Sequence, residues 1–240
     1  MKKILPFLFS LYCCALSAQT NSFSSNSLQV SPDTAVSLYY KFTDQRSRLY
    51  NGKEFIQYDP RIEGHAFFSD RELMRGSVVY DGLVFENVNM QYDLVKDELV
   101  IQHFDVFFKL VLLSDKVKEF KVADHLFKRL VKDSINNLPV ATGFYDFLHE
   151  GNITLLAKRI KRIDETVTDK VNKKVVERNF YYIIKDGTYY QVRNLKSLLS
   201  VFKDRSREVK QDLRKNRLKF RKNREASIIR AVSFYDSSNK

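Results

Sequence analysis

Two Asp-Gly pairs, Asp81-Gly82 and Asp186-Gly187, each sit between short runs of Val, Ile, Leu, Phe and Tyr, and they restrict the fold more than any other feature of the chain. A two-residue hairpin loop needs positive φ at both central positions, which Asp and Gly tolerate, so each pair predicts an antiparallel hairpin of fixed register. At the first, Tyr80 pairs with Leu83 and Val78 with Phe85, leaving Ser77 and Glu86 on a more polar opposite face. At the second, Tyr181, Ile183, Tyr190 and Val192 share one face.

Around these hairpins the chain is punctuated as an antiparallel meander. Further strands are expected at 89–95, 98–104, 106–113, 117–122 and 125–131, a spacing that argues a sheet that curls or closes. The run from Val106 to Leu113 is apolar except at Lys109 and is the best candidate for burial on both faces. Asn136, Asn137, Pro139 and Gly143 mark a break over 133–143. Strands resume at Phe144–Leu148 and Ile153–Ile163, whereas the polar stretch 164–179 reads as a hairpin tip or exposed loop.

Helical periodicity bounds this β-rich part on both sides. Ser31-Pro32 reads as an N-cap with Pro at the first helical position, opening a helix over about 32–49 that Asn51-Gly52 ends. After Asn194 the period changes from 2 to about 3.6, with Leu195, Leu198, Leu199, Phe202, Val209 and Leu213 on one stripe. Asp204 is placed to cap a second helical piece, and Ile228, Ile229, Val232 and Tyr235 form the stripe of a last helix opened by Asn223. The predicted fold is α+β: a curved antiparallel meander, an incomplete barrel or half-barrel, with an N-terminal helix and a basic C-terminal helical module. Residues 31–194 form the β-rich domain, and 195–240 the module packed on it.

Lys2 and Lys3, an apolar run from Ile4 to Leu16 and then Ser17-Ala18-Gln19 have the three-part pattern of a secretory signal peptide, 1–18, cleaved after Ala18. That run is 13 residues, short of the roughly 20 a transmembrane helix needs. A polar Ser/Asn-rich tail, 19–30, follows and is expected to be flexible. Cys13 and Cys14 are the only cysteines, and neither is preceded by the small residue of a lipoprotein cleavage site. The mature chain would then have no disulfide and no thiolate chemistry, which suits an exported protein of the periplasm or outer-membrane surface.

Charge is divided unevenly. Residues 19–157 carry 15 Lys and Arg against 19 acids, whereas 158–240 carry 24 against 10. The densest part contains Lys210, Arg214, Lys215, Arg217, Lys219, Arg221, Lys222 and Arg224, a candidate polyanion-binding surface. For an exported protein the polyanions are anionic lipid, lipopolysaccharide and acidic glycan, and nucleic acid is demoted. The plain alternative is a solvated helix face.

The segments Leu49-Tyr50-Asn51-Gly52, Gly64-His65-Ala66-Phe67-Phe68, Gly76 to Gly82 and Tyr92 to Val100, with the ending from Leu198-Leu199 through Asp204 to Asn216, Phe220 and Tyr235, resemble a family of exported Bacteroidetes proteins of unknown function. The resemblance implies export and a β-rich fold. It carries over no activity and no site.

Specific catalytic signatures are absent from the sequence: no G-x-S-x-G elbow, no phosphate loop and no dinucleotide fingerprint occurs. Each histidine has an acid near it in sequence, as in Glu63/His65, His103/Asp105, Asp124/His125 and Asp146 with His149 and Glu150. A metal-dependent hydrolase using His65 or His103 is the weakest reading, because three or four ligands must converge. Asp93, Asp97 and Glu98 crowd a turn and read as turn-forming acids. Doubled aromatics such as Phe67-Phe68, Phe107-Phe108, Tyr181-Tyr182 and Tyr189-Tyr190 place one ring on each face of a sheet. The leading reading is a non-catalytic envelope protein that needs no cofactor and binds or scaffolds at an anionic surface. The alternative is a carrier of a hydrophobic small ligand, with Tyr80, Phe85, Phe107, Phe108, Tyr181 and Tyr190 lining its cavity.

Overall fold

The computed structural model describes residues 48–103, 108–132, 140–167 and 171–237. The expected signal peptide, the polar tail and all but the last two residues of the expected helix at 32–49 lie outside them, as does Phe107.

Among the described residues eleven strands form one antiparallel sheet. They are β1 (Lys53–Glu54), β2 (Met74–Tyr80), β3 (Leu83–Asp93), β4 (Glu98–Gln102), β5 (Lys109–Val111), β6 (Val117–Val122), β7 (His125–Leu130), β8 (Gly143–His149), β9 (Thr154–Val167), β10 (Val171–Lys185) and β11 (Thr188–Val192). Their order is β1-β5-β4-β3-β2-β6-β7-β8-β9-β10-β11, so the sheet is open. Both Asp-Gly hairpins form with the expected pairing, Val78 opposite Phe85 and Tyr80 opposite Leu83, and Ile183 opposite Tyr190 and Tyr181 opposite Val192. Asp81, Gly82, Asp186 and Gly187 have φ of 51°, 78°, 51° and 71°, as the turn requires.

A short connection makes the sheet curve. Only Leu112–Lys116 join β5 to β6, four strand positions away, which is about 19 Å across a flat sheet at about 4.8 Å per strand. Part of that link is a turn closed by Lys116 N–H to Leu113 O at 2.9 Å, so it falls short of a flat crossing. The curl brings the β3–β4 turn onto β9, where Lys161 N–H donates to Leu94 O at 3.0 Å.

The register shows what the curl encloses. One row of directly opposed residues, all on one side, runs Phe85, Val78, Phe120, Phe127, Asp146, Ala157, Tyr181 and Val192 across eight strands. Over β2–β8 this side packs against itself, with Tyr92, Phe120, Phe127 and Phe144 in mutual edge-on or stacked contact 4.8–5.9 Å between centroids. Over β9–β11 it is covered by three helices, α1 (Leu195–Val201), α2 (Ser206–Lys215) and α3 (Arg224–Ser237), through Leu198, Val209, Leu213, Ile228 and Val232. The doubled aromatics divide as expected: Phe68 and Tyr181 enter these two cores, whereas Phe67 and Tyr182 pack on the opposite side.

Three local expectations are corrected. Of the stretch 164–179, expected as a hairpin tip or exposed loop, residues 164–167 and 171–179 are strand, the distal part of a β9–β10 hairpin ribbon paired from Ile184↔Thr154 out to Val171↔Val167. Both faces of its far end meet solvent, with Val167 and Val171 70% and 56% exposed, so burial left no period of two in the sequence there. The strand expected over 106–113 is ordered as a strand only at Lys109–Val111, its first residues lying outside the described ones. Asp204 does not cap α2; it sits in a short 3-10 turn (Lys203–Arg205) and accepts from the Tyr235 hydroxyl at 2.8 Å. Asn194 instead caps α1, its Oδ1 accepting from Ser197 N–H at 2.9 Å while its own N–H donates to Ser197 Oγ at 3.0 Å.

Gly143, with φ of 150°, shows how close the curl brings β8 to the β3–β4 turn: a Cβ there would collide with the Asp97 carboxylate and the Lys158 ammonium. Phe127→Ala empties the centre of the aromatic cluster and is expected to cost about 3–5 kcal/mol, read from denaturant unfolding; a loss below about 1 kcal/mol would show that the cluster is not the organising core.

Candidate functional site

In the apolar row across the sheet Asp146 is the one charged residue, and it organises the boundary between the two cores. Asp146 is fully buried and Arg159, two residues beyond Ala157 on the same side, is 6% exposed. Arg159 Nε and Nη2 donate to Asp146 Oδ2 at 2.7 and 2.6 Å, and Nη1 reaches Glu225 Oε2 of α3 at 2.9 Å. His125 Nδ1 lies 2.8 Å from the same Asp146 oxygen, and the Arg159 guanidinium lies over the Phe68 ring at 5.5 Å. Burial works against the charge on Arg159, but Glu225 and Asp146 outweigh it and its pKa is raised. The Tyr181 hydroxyl, buried and donating to Glu225 Oε2 at 3.0 Å, is pushed up to about 12. This cluster fixes where the helical module sits on the sheet.

Two further carboxylates lock that module. Asp212 accepts both Arg230 Nε and Nη2 at 2.7 Å, a bidentate clamp between α2 and α3. Asp236 Oδ2 lies 3.0 Å from His149 Nε2 at the end of β8. Their partners, Arg230 for Asp212 and His149 for Asp236, hold both carboxyls below the usual carboxylate range.

With the inward-facing charges so paired, the eight candidate polyanion-binding residues separate into two sets. Arg224, half-buried, donates from Nη2 to Val192 O at 2.8 Å and lies 5.0 Å from the Tyr181 ring centroid, so it serves the fold. Lys210, Arg214, Lys215, Arg217, Lys219, Arg221 and Lys222 are all exposed. None of these seven has an ion-pair or side-chain hydrogen-bond partner among the described residues. They fall on the last two turns of α2 and the turns between α2 and α3, a continuous outward cationic edge.

The described residues among those expected to line a ligand cavity divide between two packed cores and the surface. Tyr80 is buried in the β2–β8 core with Phe85 packed against it, and Tyr181 is buried in the helix-covered core. Phe108 and Tyr190 are 42% and 39% exposed, and Phe107 lies outside the described residues.

The histidines choose partners remote in sequence. Glu63 pairs with Lys174 at 2.5 Å, Asp146 with Arg159 and His125, and Glu150 with Lys128 at 2.5 Å. The His103 ring stacks on Phe108 at 5.1 Å. Among the described residues no group of three or more His, Cys, Asp or Glu side chains is placed to hold a metal ion. Asp93 forms its turn as expected, Oδ1 accepting from Val95 and Lys96 N–H at 2.9 and 3.1 Å, while Oδ2 accepts from the Tyr58 hydroxyl at 2.7 Å. No described helix is long and apolar enough to cross a membrane.

Compared with protein-family models, curated proteins and solved structures, the chain matches none.

Two outcomes test this electrostatic framework. Arg159→Met leaves Asp146 buried without its cation and is expected to cost about 3–5 kcal/mol in denaturant unfolding; wild-type stability would show that the cluster does not hold the module. Because the folded-state pKa values of Asp212 and Asp236 lie below the ordinary 3.8, their contribution is complete above about pH 4 and is lost as pH falls through the lowered values. Asp212→Asn combined with Asp236→Asn is expected to lower stability at pH 6 and to flatten its fall below about pH 4 in acid titrations followed by circular dichroism.

Proposed function

We propose that this is an exported, non-catalytic protein of the cell envelope that binds an anionic surface, of lipid headgroups, lipopolysaccharide or acidic glycan, through residues 210–222. The observation that supports it is the density of exposed cations over 210–222, seven of them without an ion-pair partner among the described residues and with one acid, Asp212, in the same stretch, whose carboxylate is clamped by Arg230. Such unpaired cations repel one another and weaken the folded state unless an external anion offsets them. The curved sheet, an incomplete barrel in this reading, supplies a rigid base, and the clamps at Asp212 and Asp236 keep the cationic edge from folding back. The leader at 1–18 supports export, and export is the reason to prefer envelope polyanions to nucleic acid.

A carrier with its ligand on the concave side has less support, because packed side chains already occupy that side.

Cosedimentation of the protein with vesicles of phosphatidylcholine alone and with added phosphatidylglycerol tests the reading. Binding is expected only to the anionic vesicles and is expected to disappear between about 0.1 M and about 1 M salt, as the screening length falls from about 10 Å to about 3 Å. Arg214→Glu, Lys215→Glu, Arg217→Glu and Lys219→Glu together are expected to abolish it without changing thermal stability. Unchanged association of that variant would overturn the proposal.

A further inference from the structure

A second site lies away from the cationic edge, under the strap formed by residues 55–71. A cavity of about 280 Å³ opens there between the strap, the start of β5 and the β9–β10 ribbon. The strap is held at several points by backbone hydrogen bonds. Phe55 N–H donates to Lys109 O at 2.9 Å, Glu63 N–H to Lys173 O at 2.9 Å, Val175 N–H to Glu63 O at 2.8 Å, and Phe68 N–H to Tyr92 O at 2.8 Å. Gly64, with φ of 91°, lets the strap pass close over Val175, where a Cβ would stand 3.2 Å from the valine Cβ. The Tyr58 hydroxyl is pinned on the buried Asp93 at 2.7 Å. The cavity is therefore built before any ligand arrives, which lowers the cost of binding.

Its lining combines an apolar body with two cations. Phe55, Tyr58 and Phe67 supply aromatic surface, and Ile163 and Val175, paired across the ribbon, supply an aliphatic floor. Arg71 and Lys109 border the cavity, and neither has an ion-pair partner among the described residues. Lys109 Nζ donates to the neutral Gln91 Oε1 at 2.6 Å, and Arg71 Nη2 to the Gly64 carbonyl. The one acid of the lining, Asp59, is already taken by Arg61 at 2.6 Å. His65 also lines the cavity, and its Nδ1 is buried without a hydrogen-bond partner among the described residues. Burial lowers the Lys109 pKa and the nearby Glu72 offsets this only in part, a remaining cost that an anion placed beside it would relieve.

We propose that this cavity is a binding site for a small organic acid, its anionic group held by Arg71 and Lys109 and its single-ring-sized apolar body lodged against Phe55, Tyr58 and Phe67. The volume lies just below the usual range of small-molecule sites, about 300–1,000 Å³, which admits one ring and excludes a long acyl chain. A ligand of this size reaches a Kd on the order of 0.1 mM. The site is separate from the cationic edge at 210–222 and stands or falls independently of it.

Titration of the full chain, labelled at isoleucine methyls, with 3-phenylpropionate tests the assignment by NMR. Saturable shifts at Ile62 and Ile163 are expected, with binding at least tenfold weaker for the neutral 3-phenylpropanamide. Arg71→Gln and Lys109→Met are each expected to weaken the acid five- to tenfold. Val175→Phe, which fills the cavity and leaves both cations, is expected to abolish binding while the remaining methyl resonances stay in place. Absence of saturable shifts at several millimolar acid overturns the proposal, as does equal binding of acid and amide. Tighter binding of palmitate than of 3-phenylpropionate at the same methyls would overturn the size assignment and return the site to an acyl-chain carrier.

Discussion

The contact of Arg159 with Asp146 and Glu225 carries more of this architecture than its size implies. A sheet with one continuous apolar side would bury it equally well in several arrangements of the covering helices, because the hydrophobic effect has no direction. Placing a fully buried carboxylate in that side removes the freedom: Asp146 must be matched, and Arg159 matches it only when two donors share Oδ2 and the third nitrogen meets the first turn of α3. The desolvation cost of such a cluster makes it a poor source of net stability. Its value lies in specifying one position for the helical module. Asp146 Oδ1, buried without a partner among the described residues, is the visible cost of that choice.

The second constraint is the five-residue link after β5. It converts an eleven-stranded sheet, which when flat would leave a wide apolar side to cover, into a curved one that covers much of that side with itself. Helices are then needed only over β9–β11. The described residues contain no cysteine, so this division of the core into a self-packed part and a helix-covered part has to hold without covalent ties.

How much of this could be read from the sequence depended on whether burial imposed a pattern. The hairpins at Asp81-Gly82 and Asp186-Gly187 and strands β6 and β7 were legible within about one residue, because turn chemistry is local and one face of each strand is buried. The distal β9–β10 ribbon was not: at its far end, around Val167 and Val171, both faces meet water, and a ladder held by backbone hydrogen bonds leaves no hydrophobic signature. Partner choice was equally hidden. His125 lies next to Asp124 in sequence but bonds Asp146, and His149 lies beside Glu150 but bonds Asp236, because strand register and helix docking decide which groups meet. The cavity under the strap was invisible for the same reason, since Tyr58, Arg71, Lys109 and Ile163 come from separate segments with no common spacing.

The distribution of charge gives the last step. A chain this basic could have scattered its cations over the whole surface as ordinary solubilising groups. Instead acids are spent where the module must be held: Glu225 on Arg159, Asp212 on Arg230, Glu208 on Arg205 at 2.5 Å and Asp204 on Tyr235. The acids in α1 to α3 and the turns between them are thereby committed to internal contacts or to the 3-10 turn. Residues 210–222 contain one acid, Asp212, and it points back at Arg230. The same arrangement that stabilises the module therefore strips its outer edge of neutralising partners. Structural need and a cationic surface are here one feature seen from two sides: the contacts that hold the module leave the cations at 210–222 exposed and without ion-pair partners among the described residues.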